Sequence, residues 1–246
     1  MRSDLPKVCH EVGGRAMVCA VVDACRGVGC DPIVVVVGYR QERVRAALAG
    51  AGVVFVEQDE QLGTGHAVLC ARKALSGFGG DVLVLCGDGP LIRTETLGAL
   101  LDRHRSRGAK ATLATSVLAD PSGYGRIVRG ADGRFLRIVE EKNASEAERA
   151  ICEVNPSYYC FAAGGLFEEL GRVERNEATG EYYVTDVAAQ MVERGGVVEV
   201  IEAVDPQDVL SINTPEDLAR VDGIYRARLA GRGAGVGGVG DGGGER

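Results

Sequence analysis

The first half of the chain alternates between short apolar runs and longer segments in which apolar residues recur at helical spacing. IVVVV (residues 33–37) and VLVLC (residues 82–86) are apolar on both faces, as the central strands of a parallel sheet must be. A shorter strand is predicted at residues 53–56, and helical spacing covers residues 16–26, 41–49, 66–75 and 94–107. Strands that alternate with helices at this pitch predict an α/β fold, with a mostly parallel sheet between helices.

The pattern changes after Lys110. Short runs such as ATLATSV, GRIVR, RFLRIVE and SYYCFAA are bounded by Gly, Pro and Asp, which predicts a β-rich lobe that carries a substrate pocket. The glycine-rich end, residues 230–246, cannot bury enough apolar surface to offset its chain entropy. We therefore predict one folded domain over residues 1–229 and a disordered tail over residues 230–246. Helical patterns return within the domain at residues 166–170, 185–193 and 215–229.

Composition and charge narrow the class of protein. The 246 residues suffice for one sizeable domain, and the net charge of −7 argues against a nucleic-acid partner, which would need a basic face. The eight cysteines form no C-x-x-C pair, and several fall in apolar runs, as reduced core cysteines of a cytoplasmic protein do. The sequence contains neither a membrane span nor an export signal. We expect a cytoplasmic protein that acts on small molecules, with no membrane partner and an oligomeric state left open.

Polar and glycine-rich turns follow two of the predicted strands. Gln58 and QLGTG (residues 61–65) follow the short strand, and GDGPL (residues 87–91), which contains Asp88, follows VLVLC. Ligands of open parallel sheets gather beyond the carboxyl ends of the strands, where glycine lets a ligand approach the backbone. A carboxylate at that place suits Mg²⁺ that carries phosphates, because Mg²⁺ prefers oxygen ligands. Each turn alone also fits an ordinary loop, and we expect His66 to cap or pack a helix rather than to act as a base.

Further polar stretches recur between the apolar strands, in a fixed order along the chain. Taken with the two turns they are SDLPKV, EQLGTGHA, GDGPL, DPSGYGRI, VEEKNA, GEYYVTD and the IN of LSINTPEDL. Each one singly fits a loop or a helix cap. Together, from Met1 to roughly Tyr225, they resemble the sugar-nucleotide pyrophosphorylases, and among them the uridylyltransferase half of the bacterial N-acetylglucosamine-1-phosphate uridylyltransferases. The resemblance implies the Rossmann-like fold of nucleotide-diphospho-sugar transferases.

The resemblance also implies roles for individual residues of this chain. The residues implied to bind the uracil of the nucleotide are Gln58, Gly63 and Thr64. Asp88 and Asn213 are implied as ligands of Mg²⁺, and Lys7 as the cation that steadies the phosphates, so that Lys7 and Asp88 form the catalytic pair. The residues implied to line an amino-sugar pocket are Gly125, Glu140, Asn155, Tyr183 and Thr185.

The reaction implied by the resemblance uses UTP and a sugar 1-phosphate, with N-acetylglucosamine 1-phosphate as the first choice. It yields a UDP-sugar, a precursor for the cell envelope, and pyrophosphate. Two alternatives stay open: a pyrophosphorylase for another hexose 1-phosphate or another nucleotide, and a non-catalytic protein that binds a sugar nucleotide.

The sequence departs from the family pattern at its beginning and beside the sugar pocket. Family members open with a buried strand and a glycine-rich turn of the form L-x-x-G-x-G-T-R-M, whereas this chain starts at the methionine that would end that motif. We therefore expect the sheet to lack its first central strand, and we expect the chain to be a fragment or to carry a start codon assigned too late, with its activity in this form left open. Pro156, Ser157 and Asn143 are the smaller departures.

Overall fold

Helices pack against a mixed sheet in the part of the chain that the computed structural model describes, residues 4–234. The strands are β1 (Glu11–Val12), β2 (Arg15–Ala16), β3 (Val34–Val37), β4 (Val54–Glu57), β5 (Asp81–Leu85), β6 (Ala111–Val117), β7 (Gly125–Arg129), β8 (Phe135–Val139), β9 (Glu153–Ala162) and β10 (Val198–Glu202). The helices are α1 (Met17–Gly27), α2 (Gln41–Ala47), α3 (Thr64–Cys70), α4 (Thr94–Arg107), α5 (Glu146–Arg149), α6 (Ala163–Leu170), α7 (Thr185–Glu193) and α8 (Pro215–Ala234). The α/β class predicted from hydrophobic periodicity is confirmed.

The larger sheet is mixed rather than mostly parallel. Its strand order is β10-β6-β9-β7-β8, and β5 pairs with the remaining part of β9. β6 and β10 are parallel, whereas β9 runs antiparallel to β5, β6 and β7. β9 enters the sheet from the opposite direction because the chain first leaves through the β7–β8 hairpin and returns. The strands predicted as a β-rich lobe are therefore continuous with the central sheet.

Strands β3 and β4 form a second, parallel pair. Within residues 4–234, β3 pairs only with β4 and β5 pairs only with β9, so the two sheets share no backbone hydrogen bonds. Helix α1 packs against both: Val18 and Val22 lie in the cluster that contains Val37, and Val21 lies in the cluster that contains Leu85. Helix α1 therefore connects the two sheets, and the lack of a first central strand stays a prediction.

A buried carboxylate fastens the C-terminal helix near the carboxyl end of the sheet. Asp208 is 3% exposed and accepts hydrogen bonds from Arg93, directly before α4, and from Arg228 in α8. Arg228 also donates to the backbone oxygen of Leu91, 3.1 Å away. A buried charge needs such partners, because an unpaired one would cost several kcal/mol. The network therefore fixes the segment that leads to Asn213.

Helix α8 continues to Ala234 and so enters the segment predicted as a disordered tail. The rest of that predicted tail, residues 235–246, lies outside the described residues. Between residues 4 and 234 no helix has both the length and the apolar character that a bilayer crossing requires.

Candidate active site

Hydrogen bonds join the glycine-rich turn at the start of α3 to the segment that precedes α7. Gly65 donates its backbone N–H to the oxygen of Tyr182 at 2.8 Å, and Tyr182 donates its own to Leu62 at 2.8 Å. The hydroxyl of Thr64 accepts the backbone N–H of Val184 at 3.1 Å. Two distant stretches, QLGTG and GEYYVTD, therefore form one wall.

Residue 63 must be glycine for the turn and the segment before α7 to pack in this way. Its φ of +100° and ψ of 179° belong to a region that side chains essentially exclude. A Cβ there would also lie 2.6 Å from the backbone oxygen of Tyr182. Backbone of this chain thus occupies the space beside the α-carbon, and the fold alone accounts for glycine at this position. The predicted approach of a base to the Gly63 backbone remains a prediction.

Gln58 lies directly after β4 and faces the same turn. Its Nε2 is 3.1 Å from the backbone oxygen of Gly63 and 3.1 Å from Nδ1 of His66. His66 therefore does more than cap or pack α3, because its ring also contacts Gln58, the residue predicted to bind the base. Nothing in the sequence indicated this contact, since a glutamine and a histidine eight positions apart have no fixed spatial relation across a turn.

Lys7 and Asp88, the two residues predicted to be catalytic, form an ion pair. Nζ of Lys7 is 2.7 Å from Oδ2 of Asp88, and the two side chains are 39% and 35% exposed. Lys7 begins a 3₁₀ helix, Lys7–Cys9, and Asp88 lies in the turn after β5. Among residues 4–234, the other carboxylate oxygen of Asp88 has no hydrogen-bond partner. The pair therefore joins a cation to a carboxylate that can still accept a ligand.

Asn213 reaches this end of the sheet through its apolar neighbour. Ile212 is fully buried in one cluster with Leu91, and Val8 packs against that cluster. The segments that carry Lys7, Asp88 and Asn213 thus converge on one small core. The backbone N–H of Asn213 donates to Asp217 at 2.9 Å, which holds Asn213 at the start of α8.

Four residues predicted for the sugar pocket contact one another in pairs. The hydroxyl of Thr185 donates to Oε1 of Glu140 at 3.3 Å. A Cβ on Gly125 would lie 3.6 Å from Oε2 of Glu140, 3.6 Å from the Cβ of Asn155 and 3.0 Å from Ile138. Glycine at this position therefore leaves room beside a carboxylate and an amide.

Tyr183 is the fifth predicted pocket residue, and its hydroxyl is bonded elsewhere. That hydroxyl lies 2.7 Å from Oγ1 of Thr179, in the loop before α7. The ring is buried, so Tyr183 supports the wall formed with the glycine-rich turn. Its contact with a sugar remains a prediction.

Tyr159 and Ser157 both contact Asn155, a residue predicted for the sugar pocket, and of the two the sequence had placed only Ser157 beside that pocket. The amide of Asn155 donates to the hydroxyl of Tyr159 at 2.6 Å, and the backbone N–H of Ser157 donates to the amide oxygen of Asn155 at 3.1 Å. β9 is irregular between these residues, where Ser157 has a φ of +65°, so the alternation of a regular strand gave no signal for the contact between Asn155 and Tyr159.

Burial raises the pKa of the Glu140 carboxyl above its ordinary value of 4.5. The hydrogen bond from Thr185 acts in the opposite direction and is outweighed. The neighbouring Asp186 carboxyl also has a raised pKa because it is buried. Two partly buried carboxyls at one place cost the folded state stability when they ionise, which makes this place a candidate ligand site.

We expect Glu140→Gln to stabilise the protein in a pH-dependent way. The folded state holds the Glu140 proton more tightly than the unfolded state, so wild-type stability is lost as pH rises from about 4.5 through the raised pKa. Glutamine keeps an oxygen for Thr185 and carries no charge. The free energy of unfolding of the variant, relative to the wild type, should therefore increase across this range when measured by urea denaturation.

Glu174→Gln serves as the matched control, because Glu174 is an exposed loop carboxylate. Its free energy of unfolding is measured at the same pH values as the reference for a glutamate-to-glutamine change at the surface. A Glu140→Gln variant whose relative stability is constant from about pH 4 to about pH 8 would contradict the stated cause.

Comparison of the sequence with known proteins identifies the family of this chain. The model of the MobA-like NTP transferase domain matches residues 1–180. A protein named bifunctional protein GlmU from Pelobacter propionicus is 44% identical over 230 residues, which cover 93% of this chain and 50% of that protein. The GlmU of Pelotomaculum thermopropionicum is 47% identical over 229 residues, with 93% and 50% covered. That of Desulfotalea psychrophila is 42% identical, with 93% and 67% covered. The chain spans about half the length of most of these relatives.

Solved structures agree on the fold. A crystal structure of apo-UDP-glucose pyrophosphorylase superposes with a TM-score of 0.70 at 15% identity and covers 92% of each chain. A structure of UDP-glucose pyrophosphorylase complexed with UDP-glucose gives a TM-score of 0.66 at 16% identity and covers 91% of each chain. The fold predicted from the seven motifs is therefore confirmed. On the match to its family model and its identity to the GlmU proteins, the chain belongs to the family of MobA-like NTP transferase domains.

Proposed function

We propose that the chain transfers a uridylyl group from UTP to a sugar 1-phosphate, with N-acetylglucosamine 1-phosphate as the preferred acceptor. The products are a UDP-sugar and pyrophosphate. The proposal rests mainly on two hydrogen bonds made by consecutive residues. Val184 bonds to Thr64 in the turn predicted to bind the nucleotide, and Thr185 bonds to Glu140 in the predicted sugar pocket. A nucleotide in the turn and a sugar beside Glu140 would thus be neighbours. Since UTP is a cytoplasmic nucleotide, we place the reaction in the cytoplasm.

The nucleotide would lie against the glycine-rich turn. Among residues 4–234, the backbone N–H of Gly63 has no hydrogen-bond partner, and the amide oxygen of Gln58 has none either. A donor and an acceptor on one wall match a uracil edge, which presents carbonyl oxygens beside an N–H. Thr64 then acts by holding the turn in place through Val184.

The residues near Lys7 fit a divalent cation of the hard class. Asp88 offers a partly exposed carboxylate whose second oxygen has no hydrogen-bond partner among residues 4–234, and Asn213 lies on a segment of the same small core. Within residues 4–234 there is no cluster of three or more His, Cys, Asp or Glu side chains that could hold a metal. The phosphates and water would thus complete the shell, as is usual for Mg²⁺. Bound there, Mg²⁺ would neutralise charge on the triphosphate.

The reaction itself needs positioning more than covalent chemistry. An oxygen of the sugar 1-phosphate attacks the α-phosphorus of UTP in line, the bond to the β-phosphate bridging oxygen breaks, and pyrophosphate leaves. Lys7 stabilises negative charge on the phosphates, while Asp88 fixes the ammonium group of Lys7. Glu140, Asn155 and Thr185 would hold the sugar hydroxyls and the acetamido group so that the phosphate oxygen faces the α-phosphorus.

We expect Tyr159→Phe to weaken binding of the sugar 1-phosphate. The variant removes the hydroxyl that accepts the Asn155 amide, and one such buried hydrogen bond contributes about 1 kcal/mol. The KM for the sugar 1-phosphate should rise about fivefold, with the KM for UTP unchanged. Tyr39→Phe is the control, because it removes the same atom from a ring that is 60% exposed. An equal rise in both KM values would contradict a role in the sugar pocket.

Release of pyrophosphate tests the proposed function. The chain is incubated with Mg²⁺, UTP and one of several sugar 1-phosphates, and then with other nucleotides. We expect the highest kcat/KM with UTP and N-acetylglucosamine 1-phosphate. A higher value with another hexose 1-phosphate would correct the substrate. Binding of a UDP-sugar without release of pyrophosphate from any pair would show a non-catalytic binding protein instead.

A further inference from the structure

The side-chain amide of Gln58 has one orientation that satisfies its neighbours. A backbone carbonyl oxygen can only accept, so the group 3.1 Å from the oxygen of Gly63 must be the amide nitrogen. The same nitrogen lies 3.1 Å from Nδ1 of His66. Both amide hydrogens are thus directed into the protein, and the amide oxygen is left facing away from these two groups.

The contact with His66 fixes the tautomer of its ring. Nε2 of Gln58 has only hydrogens to offer, so Nδ1 of His66 accepts, and the ring proton is on Nε2. That nitrogen faces the thiol of Cys70 at 4.0 Å, one helical turn further along α3. The neutral ring therefore presents a lone pair to Gln58.

We propose that His66 is a positioning residue that locks the amide oxygen of Gln58 toward the nucleotide and thereby selects uracil over cytosine. The inference rests on the proposed function, because it assumes that Gln58 faces a pyrimidine. Uracil has one donor on its pairing edge, the N3–H, which the amide oxygen of Gln58 accepts. Cytosine has a lone pair at N3, which that oxygen repels.

A flipped amide would reverse the preference. Its nitrogen would then face the base and donate to N3 of cytosine. The flip would place the amide oxygen against the oxygen of Gly63, which is a contact between two acceptors. It would also require the ring of His66 either to face that amide oxygen with its lone pair or to move its proton from Nε2, beside Cys70, to Nδ1. Both consequences oppose the flip. The contact with Gly63 involves a backbone oxygen, whereas the contact with His66 involves a side chain. Only the second contact can therefore be removed by a substitution.

Two variants of His66 distinguish its hydrogen bond to Gln58 from the packing of its ring. His66→Phe keeps a ring of similar size and removes the acceptor. His66→Asn places an amide oxygen where Nδ1 stands and keeps the acceptor. Calorimetry measures binding of UDP and of CDP to the wild-type chain and to both variants, and urea denaturation confirms that each variant is folded.

We expect His66→Phe to lower the ratio of UDP affinity to CDP affinity about tenfold, which corresponds to the loss of one well-formed hydrogen bond. His66→Asn should keep the ratio within about threefold of the wild type. The inference is overturned if His66→Phe keeps the wild-type ratio, if His66→Asn loses as much as His66→Phe, or if the wild-type chain binds both nucleotides equally. Because binding needs no turnover, an inactive chain that prefers UDP would refute the proposed reaction and leave this inference intact.

Discussion

Replacing Asp88 by alanine is expected to lower the turnover of UDP-sugar formation by about a hundredfold or more. The substitution removes the carboxylate proposed to bind Mg²⁺. It also removes the ion-pair partner of Lys7, whose ammonium group lies 2.7 Å from that carboxylate in the wild-type structure. Both losses act on the charge of the phosphates, where positioned ions contribute most to phosphoryl transfer. Steady-state release of pyrophosphate at saturating UTP and sugar 1-phosphate measures the effect.

Asp102→Ala provides the matched control. Asp102 is an exposed aspartate of α4, and its removal should leave turnover within about twofold of the wild type. Wild-type turnover in Asp88→Ala would refute both the metal assignment and the catalytic role of the pair with Lys7.

Gly63→Ala is expected to lower the free energy of unfolding by about 3 kcal/mol and to abolish tight binding of UDP. The new methyl group would lie 2.6 Å from the backbone oxygen of Tyr182 at a φ of +100°. Neither backbone can yield without breaking the hydrogen bonds that join the turn to the segment before α7. Urea denaturation and calorimetry with UDP measure the two effects.

The contribution of the contact with Tyr182 can be isolated with Gly77→Ala. Gly77 also has a positive φ, +79°, but a methyl group there would meet no atom within 4 Å. The control thus carries backbone strain alone, about 1 kcal/mol. If the two variants lose the same stability, the turn is not packed against Tyr182 as described.

Local pattern predicted the elements that pack against the core. Residues 33–37 and 82–86 became β3 and β5, each within one residue, because long apolar runs have few alternatives to a buried strand. The predicted helix over 94–107 matches α4, where apolar spacing is regular and Gly108 in the left-handed region ends the helix. The resemblance gave Lys7 and Asp88 their separate roles but not their ion pair, since neither residue type nor spacing implies a contact over 81 positions.

Long-range packing accounts for what the pattern did not predict. The antiparallel course of β9 depends on how the β7–β8 hairpin folds back, and the half of β9 that pairs with β5, residues 158–162, is as apolar as a parallel core strand would be. Gly63 was predicted to bind the base, which stays a prediction, and the pattern gave no sign that the space beside its α-carbon is filled by Tyr182, a residue more than a hundred positions away. The partners of Gln58 and Asn155, namely His66 and Tyr159, likewise appear only when turns and strands assume their three-dimensional positions.

The central claim is that oxygen atoms from Asp88 and Asn213 share one divalent ion at the end of the sheet. Crystals of the chain grown with UDP-N-acetylglucosamine and Mn²⁺, which takes the same oxygen ligands as Mg²⁺, would locate that ion by anomalous scattering. We predict a single strong peak bonded to the carboxylate of residue 88 and to the amide oxygen of residue 213, with the diphosphate on its other side. A peak at any other carboxylate, or a bound diphosphate with no peak beside residue 88, would contradict the account.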